Sequence, residues 1–170
     1  MKYKLKTSHE IKSNFLIELL KDRNIDVGNE KFFNPTFKNE LPPENLDHMK
    51  EAYELMKHHV LNKGRVYVVI DPDVDGLTSA SLFYLAMQPY TKWGMTLEYH
   101  IPDGKEHGLK TLMPLFENEG ERKWDLIICP DSSSNDYPCH DTLKAMGYDI
   151  LVLDHHEADR YSEHAVVVNN

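Results

Sequence analysis

Three segments of this chain place carboxylates and imidazoles directly after short apolar runs. They are Asp71-Pro-Asp-Val-Asp-Gly76, Pro130-Asp131 and Asp154-His155-His156. Aspartates at alternate positions repel each other unless a cation neutralises them. A site of carboxylate oxygens with some imidazole nitrogen suits manganese or magnesium, whereas zinc favours sites rich in thiolates. The first segment therefore favours a site for a divalent metal.

Two simpler interpretations compete for that first segment. Asp-x-Asp-x-Asp-Gly also opens an EF-hand loop, but the twelfth residue counted from Asp71 is Leu82 rather than Glu, and a strand-like run precedes it. Asp73 or Asp75 could instead cap a helix. The acidic groups at corresponding places in the other two segments favour a metal site over capping alone.

Histidines and basic residues add further candidates. His155-His156 could be a solvated pair in a loop, but its place after an apolar run and an aspartate favours a functional role. In the segment 99–109, two glycines permit close backbone approach, and Lys105 and His107 could meet a phosphate. The alternative for this segment is a turn with exposed charges.

Other histidines and both cysteines have no such setting. We interpret His58 and His59 as the exposed end of a helix. Cys129 lies in an apolar run and is expected in the core, whereas Cys139 is expected to be a free surface thiol.

A scaffold that gathers the three segments is predicted by the hydrophobic pattern. Short apolar runs rich in β-branched residues are typical of strands covered on both faces. They alternate with helical patterns, which predicts an α/β fold with a mostly parallel sheet of about five strands flanked by helices. Ligands of such sheets gather beyond the carboxyl ends of the strands. The predicted strands are 65–70, 95–101, 126–129, 150–153 and 165–168, and the predicted helices among them are 77–87, 109–119 and 142–146.

The first part of the chain has a different sequence pattern. Residues 1–63 are predicted to form an N-terminal helical lead-in, and residues 64–170 the α/β lobe. The lead-in has helical patterns over 8–24 and 44–61, and the proline-containing segment 25–43 between them is predicted to be a connecting loop.

Composition excludes several classes of protein. A chain of 170 residues with 41% hydrophobic and 28% charged residues is typical of a soluble globular domain. Its apolar runs, such as 66–70, are too short to span a membrane. Two cysteines cannot make a disulfide framework or a four-thiolate zinc site. With no export signal, a reducing cytoplasm is the expected compartment.

Charge is distributed unevenly along the chain. Residues 1–63 carry 11 basic and 10 acidic residues, whereas residues 64–170 carry 8 and 18. The overall field therefore does not indicate nucleic-acid binding by this lobe, and acidic residues gathered around cations are the better explanation.

Taken in order, the motifs resemble those of the DHH phosphoesterase superfamily, and within it the RecJ-like single-strand-specific exonucleases. The resemblance covers residues 30–170. The matching segments are Asp71-Pro-Asp-Val-Asp-Gly76, Asp131, Asp154-His155-His156 with the following Glu157, Val166-Val-Val-Asn169, the loop 101–109 and the lead-in Phe33-Asn34-Pro35.

The resemblance implies a phosphodiesterase with two manganese or magnesium ions. Asp71 and Asp73 would bind one ion, Asp75 and His155 the second, and Asp131 would bridge the two as a catalytic residue. In such a centre the ions lower the pKa of a bridging water and neutralise charge that grows on the phosphoryl oxygens.

Further roles follow from the same resemblance. His156 would contact the scissile phosphate, and Asp154 would support the site from behind, so both belong to the expected catalytic set. Lys105, His107 and Ser133 are the remaining expected contacts to substrate.

This chain also departs from the family pattern. After Asp131 the family has a small residue and then Gly, whereas here Ser132-Ser133-Ser134 follows, whose hydroxyls could contact phosphate. The loop between Pro102 and Gly108 is shorter than in cellular RecJ proteins and is similar to phage-encoded relatives. The sequence ends before a fourth motif and a DHH-associated domain, so we expect the N-terminal half of a longer enzyme whose other lobe binds single-stranded DNA.

Three functions therefore compete. The leading hypothesis is the catalytic lobe of a single-stranded-DNA exonuclease. The second keeps the chemistry but takes short oligonucleotides or cyclic dinucleotides as substrates. The third is a non-catalytic interaction module that keeps the fold, and manganese binding would separate it from the enzymes.

Overall fold

The computed structural model describes residues 15–104, 106–116 and 123–169. It divides the chain into two compact units, residues 1–42 and residues 43–170. No helix in the described ranges is long and apolar enough to cross a membrane.

The first unit contains short helices. Helix α1 covers Phe15–Asp22, which confirms the described part of the helix predicted over 8–24, and residues 8–14 lie outside the described residues. The loop prediction for 25–43 is wrong over Glu30–Phe33, which forms helix α2. Asn29 caps this helix because its side chain accepts a hydrogen bond from the Phe32 N–H at 3.3 Å. A 3₁₀ turn follows at Phe37–Asn39.

The second unit is built on a five-stranded sheet in which every pair of neighbouring strands is parallel. The α/β fold with a parallel sheet of five strands is thereby confirmed. The strand order is β2-β1-β3-β4-β5, which places β1, β3 and β4 in the interior of the sheet. The strands are β1 Arg65–Val69, β2 Thr96–His100, β3 Leu126–Pro130, β4 Asp149–Asp154 and β5 Val166–Asn169.

Helices cover the sheet, and their bounds differ from the predicted ones where caps decide them. The helix predicted from residue 77 begins at Val74, because Asp73 caps it. The helix predicted at 142–146 begins at Tyr137, with a proline in its first turn, a position that proline tolerates. The described part of 109–119 is split into a 3₁₀ turn and a short helix. The helices are α3 Met49–Leu61, α4 Val74–Thr91, α5 Met113–Phe116 and α6 Tyr137–Ala145, and the 3₁₀ turns are Pro43–Asn45 and Leu109–Thr111.

Two apolar clusters, one on each face of the sheet, form the core. Alternate residues of each strand point to opposite faces, so Tyr67 and Ile127 lie in one cluster while Val68 and Ile128 lie in the other. Helices that cover both faces explain why the interior strands are apolar over most of their length.

Two expectations about burial are wrong. Cys139 is buried, because α6 begins early enough to turn this thiol toward the sheet. His59 is also buried rather than exposed, and its Nε2 lies 3.0 Å from Asp149 Oδ2. Cys129 lies in the core as expected.

Helix α3 lies in the unit that contains the sheet. Just before it, His48 Nδ1 lies 3.0 Å from the Val167 carbonyl of β5. The division of the chain between residues 63 and 64 stays a prediction.

Candidate metal centre

The three acidic segments meet at one edge of the sheet. Strands β1, β3 and β4 are parallel neighbours, so their carboxyl ends lie side by side. Asp71 follows β1, Asp131 follows β3, and Asp154 is the last residue of β4. The shared rim that the sequence indicated is therefore present in the structure.

Two sets of possible metal-ligating atoms lie at this rim, and both include Asp131. The ligand atoms of Asp71, Asp73 and Asp131 lie within 4.8 Å of one another, and so do those of Asp131, His155 and His156. Carboxylate oxygens and imidazole nitrogens are donors that manganese and magnesium accept. Asp131 therefore lies where an acidic set and an imidazole set overlap.

Helix α4 begins inside the first set. Asp73 caps this helix, because its Oδ1 accepts a hydrogen bond from the Gly76 N–H at 2.9 Å. That hydrogen bond holds the pKa of Asp73 below its usual value. Capping and membership of the acidic set are thus both true of Asp73, and the two interpretations of this segment do not exclude each other.

Gly76 permits the tight approach of α4 to the end of β1. A Cβ at this position would lie 2.4 Å from the Asp71 carbonyl oxygen and 2.5 Å from the Asp71 Cβ. No side chain fits in that space, so the helix start can lie against Asp71 only with glycine at residue 76. Burial of Asp71 in this corner raises the pKa of its carboxyl group.

Asp131 is nearly enclosed. It is 6% exposed, and its Oδ1 lies 3.0 Å from His155 Nε2. Its Oδ2 is buried and has no hydrogen-bond partner among the described residues. Burial raises the pKa of Asp131, and the charge of Asp75 adds to the effect. A buried carboxylate with a free oxygen and acidic neighbours is a group that a bound cation would stabilise.

The turn after Asp131 keeps a shape that normally needs glycine. Asp131 and Ser133 have φ angles of 72° and 81°, in the left-handed region. Ser133 stands at the position where the resemblance described above predicts Gly, and glycine adopts a positive φ without steric cost. The Ser133 hydroxyl accepts a hydrogen bond from the Leu109 N–H at 3.0 Å. The serine run therefore ties this turn to the loop that ends at residue 109.

Asp154 orients the two histidines that follow it. Its Oδ1 accepts from the N–H groups of His155 and His156 at 2.8 and 3.2 Å and lies 2.7 Å from His156 Nδ1. Its Oδ2 accepts from the Ser134 N–H at 3.0 Å. Burial opposes the charge of Asp154, but these hydrogen bonds prevail and lower its pKa. The hydrogen bond to Asp154 also raises the pKa of His156.

A cleft of about 610 Å³ opens beside this pair. Its lining includes His107, Lys110, Asp154 and His156, together with the serine run 132–134. His107 Nδ1 lies 3.8 Å from Asp71 Oδ2, so this loop does reach the acidic set. Lys105 lies outside the described residues.

The structure brings only some of the predicted metal ligands into the two three-residue sets. Asp75 lies near the imidazole set, with its Oδ2 3.9 Å from His155 Nε2, but neither three-residue set includes it. Asn169, which the sequence analysis quoted only as part of a matching segment and gave no role, donates from Nδ2 to the Ser134 hydroxyl and to the His156 carbonyl, both at 2.8 Å. A polar residue at the end of β5, in line with the other strand ends, was the signal that could have given it a role.

Comparison with known proteins bears on this arrangement. The family model described as "DHH family, N-terminal domain" matches residues 65–170. YorK, an SPbeta prophage-derived protein of Bacillus subtilis (strain 168) with a provisional name as a single-strand DNA-specific exonuclease, is 34% identical over 170 residues. That alignment covers all of this chain and 28% of YorK.

RecJ proteins give further matches. The single-stranded-DNA-specific exonuclease RecJ of Bacillus subtilis (strain 168) is 29% identical over 115 residues, which cover 68% of this chain and 14% of that protein. The crystal structure of RecJ in complex with Mn²⁺ from Thermus thermophilus superposes with a TM-score of 0.58 at 22% identity, over 76% of this chain and 18% of that one. This chain thus spans less than a third of the length of each of these proteins.

Proposed function

Because this chain belongs to the DHH family, we propose that it carries the catalytic lobe of a two-metal, RecJ-like exonuclease that hydrolyses phosphodiester bonds in single-stranded DNA. The observation that carries the proposal is the position of Asp131, which the acidic set and the imidazole set share. A carboxylate common to two sets of ligands suits a centre that holds two closely spaced ions.

The donor atoms fit divalent manganese or magnesium. We propose that Asp71 and Asp73 hold one ion, that Asp75 and His155 hold the second, and that Asp131 bridges them. The free, buried Oδ2 of Asp131 supports the bridging role, because an ion would satisfy an oxygen that lacks a partner among the described side chains and backbone. When bound, such ions lower the pKa of water and neutralise charge on phosphoryl oxygens.

The remaining residues bind and orient the substrate in this proposal. Asp154 occupies Nδ1 of His156, which leaves Nε2 of that ring for the scissile phosphate. His107 lies on the cleft near Asp71 and is a proposed contact to the phosphate backbone, as are Lys105 and Ser133. The Ser133 hydroxyl already accepts a hydrogen bond from the backbone, so a phosphate oxygen would receive its O–H hydrogen.

Single-stranded DNA is the substrate we favour over short oligonucleotides or cyclic dinucleotides. The support is the naming of the RecJ relatives, which match by sequence as well as by fold. Because this chain spans a small part of those relatives, we propose that a further lobe supplies most of the DNA-binding surface. Two free cysteines in the described core favour a reducing, cytoplasmic setting.

The test combines metal binding with a panel of substrates. Manganese titration calorimetry on the chain should show binding that an Asp75→Asn variant weakens, with an unchanged circular dichroism spectrum. A longer protein that joins this chain to the proposed further lobe should degrade labelled single-stranded DNA in the presence of Mn²⁺, in preference to duplex DNA and cyclic dinucleotides.

The matched control is Asp141→Asn, which changes an exposed aspartate on α6. Manganese binding without cleavage of any of these substrates by that longer protein would indicate the non-catalytic module instead. Absence of manganese binding by the folded chain would refute the proposed metal centre itself.

A further inference from the structure

The loop 157–165, which follows the two histidines of the rim, displays one arginine in a fixed place. We propose that Arg160 binds a backbone phosphate of single-stranded DNA beside the cleft. This inference rests on the proposed function and adds to it a residue that none of the matching motifs contains.

Side chains from α6 and the turn before it hold the backbone on both sides of Arg160. The Arg160 N–H donates to the Tyr137 hydroxyl at 3.0 Å, and that hydroxyl lies 2.8 Å from the Arg160 carbonyl. The Asp159 N–H donates to Asn135 Oδ1 at 3.0 Å. The loop therefore cannot shift at this point without breaking several hydrogen bonds at once.

The next two residues are anchored as well. The Tyr161 hydroxyl donates to the Asp47 carboxylate, and the Tyr161 ring packs edge-on against His48, with 4.5 Å between the ring centroids. The Ser162 hydroxyl lies 3.0 Å from Nδ1 of the buried His140. Arg160 thus projects from a segment that is fixed on both sides.

The guanidinium group of Arg160 has hydrogen-bonding capacity to spare. It stacks on the Tyr137 ring, with Cζ 4.4 Å from the ring centroid. Within the described part of the chain it makes no ion pair and donates no side-chain hydrogen bond. By contrast, Lys110 pairs with Asp136 at 3.1 Å and Lys144 pairs with Asp149 at 2.9 Å.

Asn135 connects this cation to the cleft. Asn135 lines the cleft together with Asp154 and His156. The same side chain donates from Nδ2 to the Glu157 carbonyl at 2.8 Å and accepts the Asp159 N–H. A strand that leaves the cleft on this side would therefore meet Arg160.

Charge and shape both favour a phosphate as the ligand. Residues 64–170 carry 18 acidic and 8 basic residues, so a polyanion needs local cations to approach the rim. A planar guanidinium fork matches two phosphate oxygens, and stacking on tyrosine fixes the plane of the fork. Because the group is already ordered, binding would lose little side-chain entropy.

Two variants separate a phosphate contact from a purely structural stacking role. Arg160→Gln removes the charge but keeps an unbranched polar side chain. Arg160→Lys keeps the charge and loses the planar fork. The control is Lys57→Gln on α3, since Lys57 Nζ also lies over a tyrosine ring, 5.7 Å from the centroid of Tyr53.

Fluorescence anisotropy with a labelled phosphorothioate oligothymidylate in the presence of Mn²⁺ gives the readout. We expect Arg160→Gln to weaken binding about tenfold, the size of one charge-assisted contact. The slope of log K against log salt should fall by about 0.7, as for the loss of one phosphate contact on a single strand. Arg160→Lys should keep most of the slope and lose part of the affinity, and Lys57→Gln should match the wild type.

Equal affinity and equal salt slope in Arg160→Gln and wild type would overturn the proposal. So would a wild-type chain that binds manganese but not the oligonucleotide. Failure of the folded wild type to bind manganese would count instead against the proposed metal centre. Thermal unfolding of each variant identifies any loss that comes from misfolding, and then Arg160→Lys, which keeps the stacked cation, decides.

Discussion

Replacing Asp131 by Asn tests the shared position of this carboxylate both without metal and with manganese bound. The change removes one negative charge and keeps the shape of the side chain. Asn also tolerates the left-handed backbone at residue 131, where φ is 72°. Asp131→Ala would add about 1–2 kcal/mol of backbone strain and would confuse the measurement.

The distances between the carboxylates give the expected change in stability of the metal-free protein. The ligand atoms of Asp71 and Asp73 lie within 4.8 Å of those of Asp131. Two like charges at that separation repel by about 1 kcal/mol even at the dielectric constant of water. Removing the charge of residue 131 should therefore stabilise the metal-free fold by about 1–2 kcal/mol, which is about 3–6 °C in Tm for a chain of this size.

Manganese should reverse that order. At a concentration one hundred times its Kd, a ligand that binds only the folded state adds about 2.7 kcal/mol of stability, or about 8 °C here. The wild type should gain this increment, whereas Asp131→Asn should gain little of it, because the variant lacks the shared ligand. We expect the variant to melt above the wild type in EDTA and below it in MnCl₂.

Differential scanning calorimetry at matched ionic strength measures both differences, and Asp141→Asn serves as the control for an exposed aspartate. If Asp131→Asn has a lower Tm than the wild type in EDTA, the protein already compensates the charge of Asp131 without metal. An equal manganese shift in variant and wild type would show that residue 131 is not a ligand. Either result would refute the reasoning.

Two further perturbations test the elements around the site. Gly76→Ala should destabilise the fold by about 1–3 kcal/mol and weaken manganese binding, because the new Cβ overlaps the Asp71 backbone. Calorimetry measures both effects. The control is Gly28→Ala, whose new Cβ would have its nearest contact at 3.5 Å and which should behave like the wild type. Burial lowers the pKa of His59. Below about pH 6.5, therefore, His59 binds a proton more readily in the unfolded chain than in the folded one, and the folded state loses stability as the pH falls. Urea midpoints should therefore fall between pH 7.5 and 5.5, and less steeply in His59→Asn; an equal slope in both proteins would contradict this assignment.

Local patterns in the sequence determined the scaffold and the positions of the acidic segments. A run such as 66–70 is apolar at every residue, and this pattern by itself indicates a strand covered on both faces. Because parallel strands end at one edge, the residues after 70, 129 and 153 could be assigned to a common rim without coordinates. The fold class and the convergence of Asp71 and Asp131 were predictable for this reason.

Tertiary structure decided which groups share partners and which are enclosed. His59 looked like an exposed helix end, but it meets Asp149, a residue 90 positions away. Asp131 Oδ2, which has no hydrogen-bond partner among the described residues, and the ordered loop around Arg160 likewise depend on how distant segments come together. Hydrophobic periodicity reports only how a segment faces its surroundings, whereas these properties depend on which particular atoms occupy those surroundings, and folding of the whole chain determines that.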